Sequence, residues 1–301
     1  MRGPSYLDLG DREVGRRAAE LTAVYECCCL CPWLCGVDRT MGEKGICGSG
    51  SVARVASYHA HFGEERPLVG GCGSGTIFMS RCNLLCEFCQ NWEIAHSGQG
   101  QEVTNDQIAG MMIDLQRQGC HNINFVTPTH VLPNVVGALR IAMARGLRIP
   151  LVYNCGGWER VEILRLLDGI IDIYMPDCKY MDRTSAAKYS NGAADYPEVS
   201  RAAITEMYRQ VGNLILDSDG VAVRGLIIRH LVLPDNIAGT DRFVKWVAGH
   251  LDPATYVNIM PQYHPAHRAH LYPEINRRIA RDEFARAIAW AREAGLTNLD
   301  T

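Results

Sequence analysis

Residues 73–92 read GSGTIFMSRCNLLCEFCQNW, and the rest of the chain can be understood from this segment outward. A short apolar run, predicted as a strand over residues 75–80, leads into three cysteines, Cys82, Cys86 and Cys89. Their C-x3-C-x2-C spacing suits three irons of a [4Fe–4S] cube, in which a cysteine thiolate normally ligates each iron. With no obvious fourth thiol nearby, one iron stays open to bind a substrate or a cofactor.

This cysteine triplet has two alternative interpretations, three scattered cysteines or three of the four ligands of a zinc ion. Zinc sites favour paired spacings such as C-x2-C…C-x2-C. The triplet does not have that spacing. We therefore interpret its thiols as ligands of an iron–sulfur cluster with one open iron.

Apolar runs and amphipathic stretches alternate along the chain after residue 70. The apolar runs predict strands over residues 75–80, 122–127, 149–154, 170–176, 225–233 and 255–260. The amphipathic stretches predict helices over residues 105–118, 132–145, 159–168, 196–216, 239–250 and 281–294. Continuous apolar strands that alternate with helices indicate βα units around a parallel sheet. A doubly wound open sheet is the alternative, and both folds place their chemistry at the carboxyl ends of strands.

The triplet and its position resemble the signature of radical S-adenosylmethionine (SAM) enzymes. In that family CxxxCxxC closes the first barrel strand, and Phe88, just before the third cysteine, also resembles the family pattern. The resemblance implies an α/β fold, a partial (β/α)6 TIM-like barrel. It also implies that the open iron binds the amino and carboxylate groups of SAM. Reduction then gives a 5′-deoxyadenosyl radical, which abstracts hydrogen from a substrate.

Polar residues follow the second and third predicted strands. Thr127, Thr129 and His130 stand where many radical SAM enzymes carry a GGE-like segment that holds the SAM amino group. A proline-containing turn is the alternative interpretation. Asn154 and Gly156 resemble a glycine-containing turn that contacts SAM in the activating enzymes of glycyl-radical enzymes, and a flexible turn is the alternative.

Charged residues follow the fourth and fifth predicted strands. Asp177 and Lys179 are two positions apart, so they project to the same side, and they match the D-x-K element of the same activating enzymes. A surface ion pair is the alternative. Arg229 and His230 are adjacent, so only one of them can face the barrel interior. We favour His230 as the residue that reaches SAM, with a structural histidine as the alternative.

A second group of cysteines occurs in CCCLCPWLCGVDRTMGEKGIC, residues 27–47. Four of them have the spacing C-x2-C-x3-C-x11-C, and these are Cys28, Cys31, Cys35 and Cys47. The spacing suits a second [4Fe–4S] cluster or a zinc ion, with Cys27 and Cys29 as alternates. A reactive tail without metal is the remaining interpretation. We predict a cysteine-rich extension over residues 1–70 and a radical SAM partial barrel over residues 71–301.

The composition limits the partners and the compartment. The chain has 301 residues, 47% hydrophobic and 21% charged, which is ordinary for a globular enzyme. Its formal net charge of −3 gives no general reason to expect nucleic acid or an anionic membrane as a partner. No apolar run has the length of a membrane span, and the polar N-terminus does not resemble a secretory signal. Its 13 cysteines are grouped rather than spread, which indicates metal ligation in a reducing cytoplasm.

Further segments refine the resemblance. LCPWLCGVDR, NINFVTPTHV, VYNCGGWE, DIYMPDCKY and NIMPQYHP resemble radical SAM proteins related to pyruvate formate-lyase activating enzyme, over roughly residues 26–294. This implies an activase-like oxidoreductase that uses SAM, a [4Fe–4S] cluster and an electron donor such as flavodoxin or ferredoxin. Its substrate would be a glycyl-radical protein. The alternatives are modification of a small molecule or peptide, and a non-catalytic iron–sulfur electron carrier.

Overall fold

The computed structural model describes residues 3–301, so residues 1 and 2 of the predicted extension lie outside the description. The strands in this range are β1 (Ala53–His61), β2 (Ser74–Met79), β3 (Gln101–Val103), β4 (Ile123–Val126), β5 (Leu151–Cys155), β6 (Ile173–Pro176), β7 (Ile215–Leu216), β8 (Ala222–Leu231), β9 (Tyr256–Met260) and β10 (Leu299–Asp300). The helices are α1 (Ser5–Ala23), α2 (Arg66–Val69), α3 (Trp92–Ala95), α4 (Asn105–Arg117), α5 (Leu132–Ala144), α6 (Val161–Arg165), α7 (Arg183–Tyr189), α8 (Tyr196–Val211), α9 (Thr240–His250) and α10 (Arg281–Glu293). Over residues 3–301, no helix combines the length and the apolar character needed to cross a membrane.

One sheet with mostly parallel strands organises the fold. The parallel strands β2, β4, β5, β6, β8 and β9 are neighbours in chain order, and β10 adds to β9 in parallel. The strands β1, β3 and β7 pair antiparallel. A doubly wound sheet reverses its strand order at a switch point, whereas this order is sequential. The predicted α/β class with a parallel sheet is confirmed, and all six predicted strands are present.

The two faces of the sheet carry different side chains, because neighbouring residues of a strand point to opposite faces. One face packs under the helices through apolar residues such as Ile123 and Phe125. The opposite face has a smaller apolar cluster that includes Val152, Ile173 and Ile227. Continuing the same alternation towards the carboxyl ends of the strands leads to three polar residues on this second face, Asn154, Asp177 and Arg229.

The residues before position 70 contribute regular structure that the sequence pattern did not predict. Helix α1 packs against α5, and β1 pairs with β2 along the edge of the sheet. The carboxylate of Asp172 fixes α1 by accepting hydrogen bonds from the backbone nitrogens of Ser5 at 2.7 Å and Leu151 at 3.0 Å. The sequence did not predict helix α1, because Gly10, with φ 74°, interrupts the helical spacing of its apolar residues. The two predicted units therefore share one sheet.

Local chemistry sets the helix boundaries at two places. Thr104 and Gln107 form a capping box at the start of α4: the nitrogen of Thr104 donates to Gln107 Oε1 at 2.8 Å, and the nitrogen of Gln107 donates to Thr104 Oγ1 at 3.2 Å. The helix predicted over residues 196–216 is too long. It ends at Val211 because Gly212, with φ 70°, leaves the helical conformation, and the chain continues into β7.

Gly157 turns the chain after β5, where the backbone that follows β6 comes close. Its φ is +76°, and an added Cβ would overlap the carbonyl oxygen of Asp177 and stand 2.9 Å from the hydroxyl of Tyr196. Gly157→Ala should lower the free energy of unfolding by about 3 kcal/mol, because it combines an unfavourable φ with a backbone collision. Denaturant unfolding followed by circular dichroism measures this loss.

Gly192→Ala is the matched control. Gly192 also has a positive φ, +81°, but no atom lies within 4 Å of an added Cβ. The control variant should lose only about 1 kcal/mol. Equal losses in the two variants would contradict the proposed role of the close backbone approach at Gly157.

Candidate functional site

The cysteine triplet lies on the loop that follows β2, at the carboxyl end of the parallel strands. Cys86 is buried, whereas Cys82 and Cys89 are half-buried. The loop turns tightly: Leu85 has φ 52°, and the nitrogen of Cys89 donates to the carbonyl oxygen of Cys86 at 3.2 Å. This turn keeps the thiols within electrostatic range, since charge on Cys86 and Cys82 adds to the effect of burial in raising the pKa of Cys89.

The surroundings of the triplet disfavour free thiolates. Burial raises the pKa of Cys82 to about 11 and that of Cys89 to about 12, and it also raises the pKa of Cys86. The hydroxyl of Ser190 donates to Cys86 Sγ at 3.2 Å. A metal replaces the thiol proton when it binds. The triplet is therefore suited to a bound metal centre rather than to a free nucleophile.

The donor set of the triplet suits a [4Fe–4S] cube. Three cysteines follow one another on a single loop, and a cube binds each thiolate at a different iron. Soft thiolate ligands are the ones that iron–sulfur clusters use.

An ion network lies beside the triplet, with Asp177 between two cations. Its Oδ2 accepts from Lys179 Nζ at 2.6 Å, and its Oδ1 accepts from Arg229 Nε at 2.8 Å. Burial acts to raise the pKa of Asp177, but the charges of Arg229 and Lys179 outweigh burial and hold it below its usual value. The three groups together carry one net positive charge.

The charge on Lys179 is similarly maintained. Burial acts to lower the pKa of Lys179, yet the carboxylate of Asp177, which accepts a hydrogen bond from it, raises that pKa above its usual value. Glu64 also approaches the network, with its Oε2 3.7 Å from Arg229 Nη1. A charged lysine and a charged arginine therefore persist in a largely buried setting at neutral pH.

A cavity of about 250 Å³ opens next to the triplet and the ion network. Cys86, Cys89, Asp177, Lys179 and Arg229 are on its wall. Further polar lining comes from Gln90, Asn91 and Gln262, and apolar lining comes from Phe88, Leu231 and Met260. The cavity thus joins two thiols of the triplet to the charged groups at the ends of β6 and β8.

Asn154 and Gly156, both predicted from the turn after β5, lie beside this network. Asn154 Oδ1 accepts from Arg229 Nη2 at 2.7 Å. Gly156 lies next to the lysine, since an added Cβ would stand 3.8 Å from Lys179 Cε, an ordinary van der Waals distance. The structure brings both residues together with the Asp177–Lys179 pair.

Arg229, rather than the favoured His230, faces the cavity. Arg229 continues the alternation of Ile227, whereas His230 points to the helix side of the sheet. His230 is fully buried, its ring stacks on Phe243 at 4.3 Å between centroids, and its Nε2 lies 2.9 Å from Thr240 Oγ1. Burial lowers the pKa of His230 to about 4, so the ring is neutral. The structure therefore places Arg229, and not the favoured His230, on the cavity wall, and the contact of either residue with SAM stays a prediction.

The residues predicted after β4 are divided between two settings. Thr127 is half-buried with φ 58°, and its nitrogen donates to the carbonyl oxygen of Asn154 at 2.8 Å. Thr129 and His130 are buried: Thr129 Oγ1 donates to Glu159 Oε1 at 2.6 Å, and His130 Nε2 lies 2.8 Å from the Ser80 carbonyl oxygen. Thr127 therefore lies next to the turn that contains Asn154. Thr129 and His130 instead form hydrogen bonds with other residues of the protein interior.

The four N-terminal cysteines lie in the segment between α1 and β1, apart from the cavity wall. Cys28 and Cys31 are buried, and Cys35 and Cys47 are half-buried.

Sequence reasoning missed Glu64 and Ser190. Both are on loops and touch the site through partners distant in sequence, Arg229 and Cys86. No spacing or periodicity marks such positions. Arg229 did carry a signal, because it is two residues after Ile227 in an apolar strand.

Comparison with known proteins identifies the family. The model of the Radical SAM superfamily matches residues 76–212, which include the triplet. "Uncharacterized protein MJ0674" of Methanocaldococcus jannaschii is 30% identical over 282 residues, covering 91% of this chain and 76% of that protein.

Two solved structures are similar to this chain at low sequence identity. HydG, a maturase of the [FeFe]-hydrogenase, gives a TM-score of 0.50 at 14% identity, over 74% of this chain and 50% of that one. TYW1 with a lysine-pyruvate adduct bound gives a TM-score of 0.45 at 10% identity, over 72% of this chain and 73% of that one. The first of these indicates a likeness of fold alone. From the family match and the relative of M. jannaschii, this chain belongs to the radical SAM superfamily.

Proposed function

We propose that this protein reductively cleaves SAM at a [4Fe–4S] cluster held by Cys82, Cys86 and Cys89. Membership of the superfamily implies an enzyme that uses such a cluster and SAM. When bound, the cluster supplies the electron that splits SAM into methionine and a 5′-deoxyadenosyl radical. The observation that carries the proposal is the single cavity whose wall contains both Cys86 and Cys89 and the charged network beside them. A partial (β/α)6 barrel around this cavity is part of the proposal.

The charged network is suited to the carboxylate of SAM. Lys179 and Arg229 share the Asp177 carboxylate, and Glu64 lies farther off, 3.7 Å from Arg229. Lys179 is the cation on the cavity wall beside Cys86, so it is proposed to bind the methionine carboxylate. Asp177 keeps both cations charged and in place.

The neighbouring residues orient the rest of the ligand. Asn154 is held by Arg229, and it is proposed to contact a ribose hydroxyl. Thr127 and Gly156 shape the turn next to it. The prediction that Thr129, His130 and His230 touch SAM stays untested. Their internal hydrogen bonds favour a positioning role, in which they hold the loops that carry the binding residues.

The remaining cavity wall is suited to hydrogen abstraction from a substrate. Phe88, Leu231 and Met260 exclude water from the place where a radical forms, which prevents side reactions. Gln90, Asn91 and Gln262 supply amide groups that bind a substrate by hydrogen bonds.

The identity of the substrate rests on sequence resemblance. That resemblance predicts a glycine of a glycyl-radical protein as hydrogen donor and flavodoxin or ferredoxin as electron donor. Modification of a small molecule or peptide is the alternative and uses the same cavity. Membership of an enzyme superfamily disfavours the non-catalytic electron carrier.

Replacing one cysteine of the triplet tests the cluster assignment. Cys86→Ala should reduce 5′-deoxyadenosine formation by about 100-fold or more in anaerobically reconstituted protein, because one iron loses its ligand. Liquid chromatography with mass spectrometry quantifies 5′-deoxyadenosine. Cys72→Ala is the control, since Cys72 is exposed and not part of the cavity wall, and it should keep normal formation. Near-normal formation by Cys86→Ala would reject the triplet as the cluster site.

A pair of variants on β8 tests which side chain reaches SAM. Arg229→Gln should raise the Kd for SAM by about tenfold or more, because charge-assisted hydrogen bonds contribute roughly 1.5–3 kcal/mol. His230→Gln should change it by no more than about twofold, since His230 faces the helix layer. Isothermal titration calorimetry on reconstituted protein measures both constants. A loss of affinity in His230→Gln with none in Arg229→Gln would reverse the assignment.

A further inference from the structure

Four cysteines outside the cavity are gathered by a compact loop between α1 and β1. The nitrogen of Cys28 donates to the carbonyl oxygen of Val37 at 2.9 Å, and the nitrogen of Gly36 donates to the carbonyl oxygen of Cys28 at 3.0 Å. These two bonds fold the segment back on itself and enclose Cys31 and Cys35. Cys27 is an alternative to Cys28 as a ligand, but Cys27 is exposed, whereas Cys28 is buried.

Cys47 joins this loop from farther along the chain. The nitrogen of Gly48 donates to the carbonyl oxygen of Gly45 at 2.9 Å, so the chain turns at Cys47. This turn lies against Cys35, because an added Cβ at Gly45 would stand 2.7 Å from Cys35 Sγ. The four cysteines therefore belong to one compact loop.

A buried cation lies against this group. Arg39 is 1% exposed, and its Nη1 is 3.9 Å from Cys28 Sγ. Nη1 donates to the carbonyl oxygen of His130 at 2.7 Å, and Nε donates to that of Gly50 at 2.9 Å. The guanidinium also lies 4.2 Å from the centre of the Tyr25 ring. Within residues 3–301, no ion pair closer than 4 Å involves Arg39, whose guanidinium contacts are carbonyl oxygens, a ring and a thiol.

This setting calls for an anionic centre next to Arg39. A charge is costly to bury unless an opposite charge or a metal accompanies it. Neutral carbonyl oxygens solvate the guanidinium but do not neutralise it. A metal centre with four thiolate ligands, placed beside Cys28, carries the negative charge that this arginine lacks.

The spacing of the cysteines along the chain favours one kind of centre. Residues 28, 31 and 35 have the spacing C-x2-C-x3-C, which is the C-x3-C-x2-C spacing of the triplet in reverse order. Zinc sites favour paired C-x2-C spacings, whereas in a [4Fe–4S] cube every thiolate binds its own iron. This argues for a cluster rather than zinc.

We propose that Cys28, Cys31, Cys35 and Cys47 bind a second [4Fe–4S] cluster, whose negative charge is balanced by the buried Arg39. With four thiolates, each iron is ligated, so this cluster does not bind SAM. The proposal is independent of the SAM chemistry assigned to the triplet.

The second site is directly connected to the triplet loop. Trp33 lies between Cys31 and Cys35, and its Nε1 donates to the carbonyl oxygen of Asn83, the residue after Cys82. The Trp33 ring also meets the ring of Trp158 at 5.5 Å between centroids, and Asn83 Nδ2 donates to the Trp158 carbonyl oxygen at 2.8 Å. One tryptophan thus links the two cysteine groups.

Removing the triplet isolates the second site. The Cys82→Ala/Cys86→Ala/Cys89→Ala variant, reconstituted anaerobically, should retain about four irons and about four sulfides per chain, because the second cluster keeps its ligands. Its electron paramagnetic resonance (EPR) spectrum after reduction should not change when SAM is added. Absence of iron from this variant, or zinc in place of iron, would overturn the proposal.

Adding two changes to that variant identifies the ligands. A further Cys28→Ala/Cys31→Ala pair should remove the remaining iron and sulfide. The matched control is Cys27→Ala/Cys29→Ala in the same background, which alters two neighbouring cysteines and should keep the iron. Unchanged iron in the first variant, or equal loss in both, would overturn the assigned ligand set.

A milder substitution covers the case in which the double change prevents folding. Cys47→Ala alters one half-buried ligand on a separate part of the loop. With the triplet intact and the fold verified by circular dichroism, it should lower the iron content below that of the wild type while the SAM-dependent change of the EPR spectrum persists. Iron content equal to that of the wild type would contradict the proposal.

The reduction potential of the second cluster tests the role of Arg39. Arg39→Gln in the triplet-free variant should keep the iron and shift the reduction potential of the remaining cluster to a more negative value, because the added electron loses a nearby cation. Arg39→Lys should restore much of the original potential. A potential unchanged by Arg39→Gln would contradict the proposed charge balance.

Discussion

The carboxylate of Asp177, held between Lys179 and Arg229, is the interaction on which the site depends. Removing charges from water is costly, and these three groups are largely buried, so each persists only because the others are present. The arrangement requires β6 and β8 to be neighbours, since Asp177 and Lys179 follow one strand and Arg229 lies on the other. Sequential parallel strands meet this requirement, because their carboxyl ends come together at one edge of the sheet.

The same arrangement of parallel strands determines where the triplet lies. The loop after β2 belongs to the same edge, and Cys86 acts electrostatically on Lys179. A ligand with a carboxylate and an amino group can thus meet a metal centre and a fixed positive charge within one cavity. The apolar residues of the cavity wall strengthen these interactions by excluding water. The fold therefore supplies position and electrostatics, and the cofactors supply the chemistry.

Much of this arrangement could be predicted from the sequence, because it depends on local patterns. Apolar runs revealed the six parallel strands, and the spacing of residues 82, 86 and 89 revealed the triplet. Helix α1 could not be predicted because Gly10 breaks its periodicity and its buried positions are few. The sequence could not decide between His230 and Arg229, because both faces of β8 are apolar and alternation does not tell which face lines the cavity. Ser190 and Glu64 gave no signal, since only tertiary packing brings them to the site.

The proposed chemistry requires a metal centre on the triplet with a coordination position for SAM. The EPR spectrum of the anaerobically reconstituted and reduced protein, recorded before and after SAM is added, tests this requirement. We expect a clear change in g-values, because SAM adds ligands to the open iron. An unchanged spectrum in a protein with full iron content would contradict it.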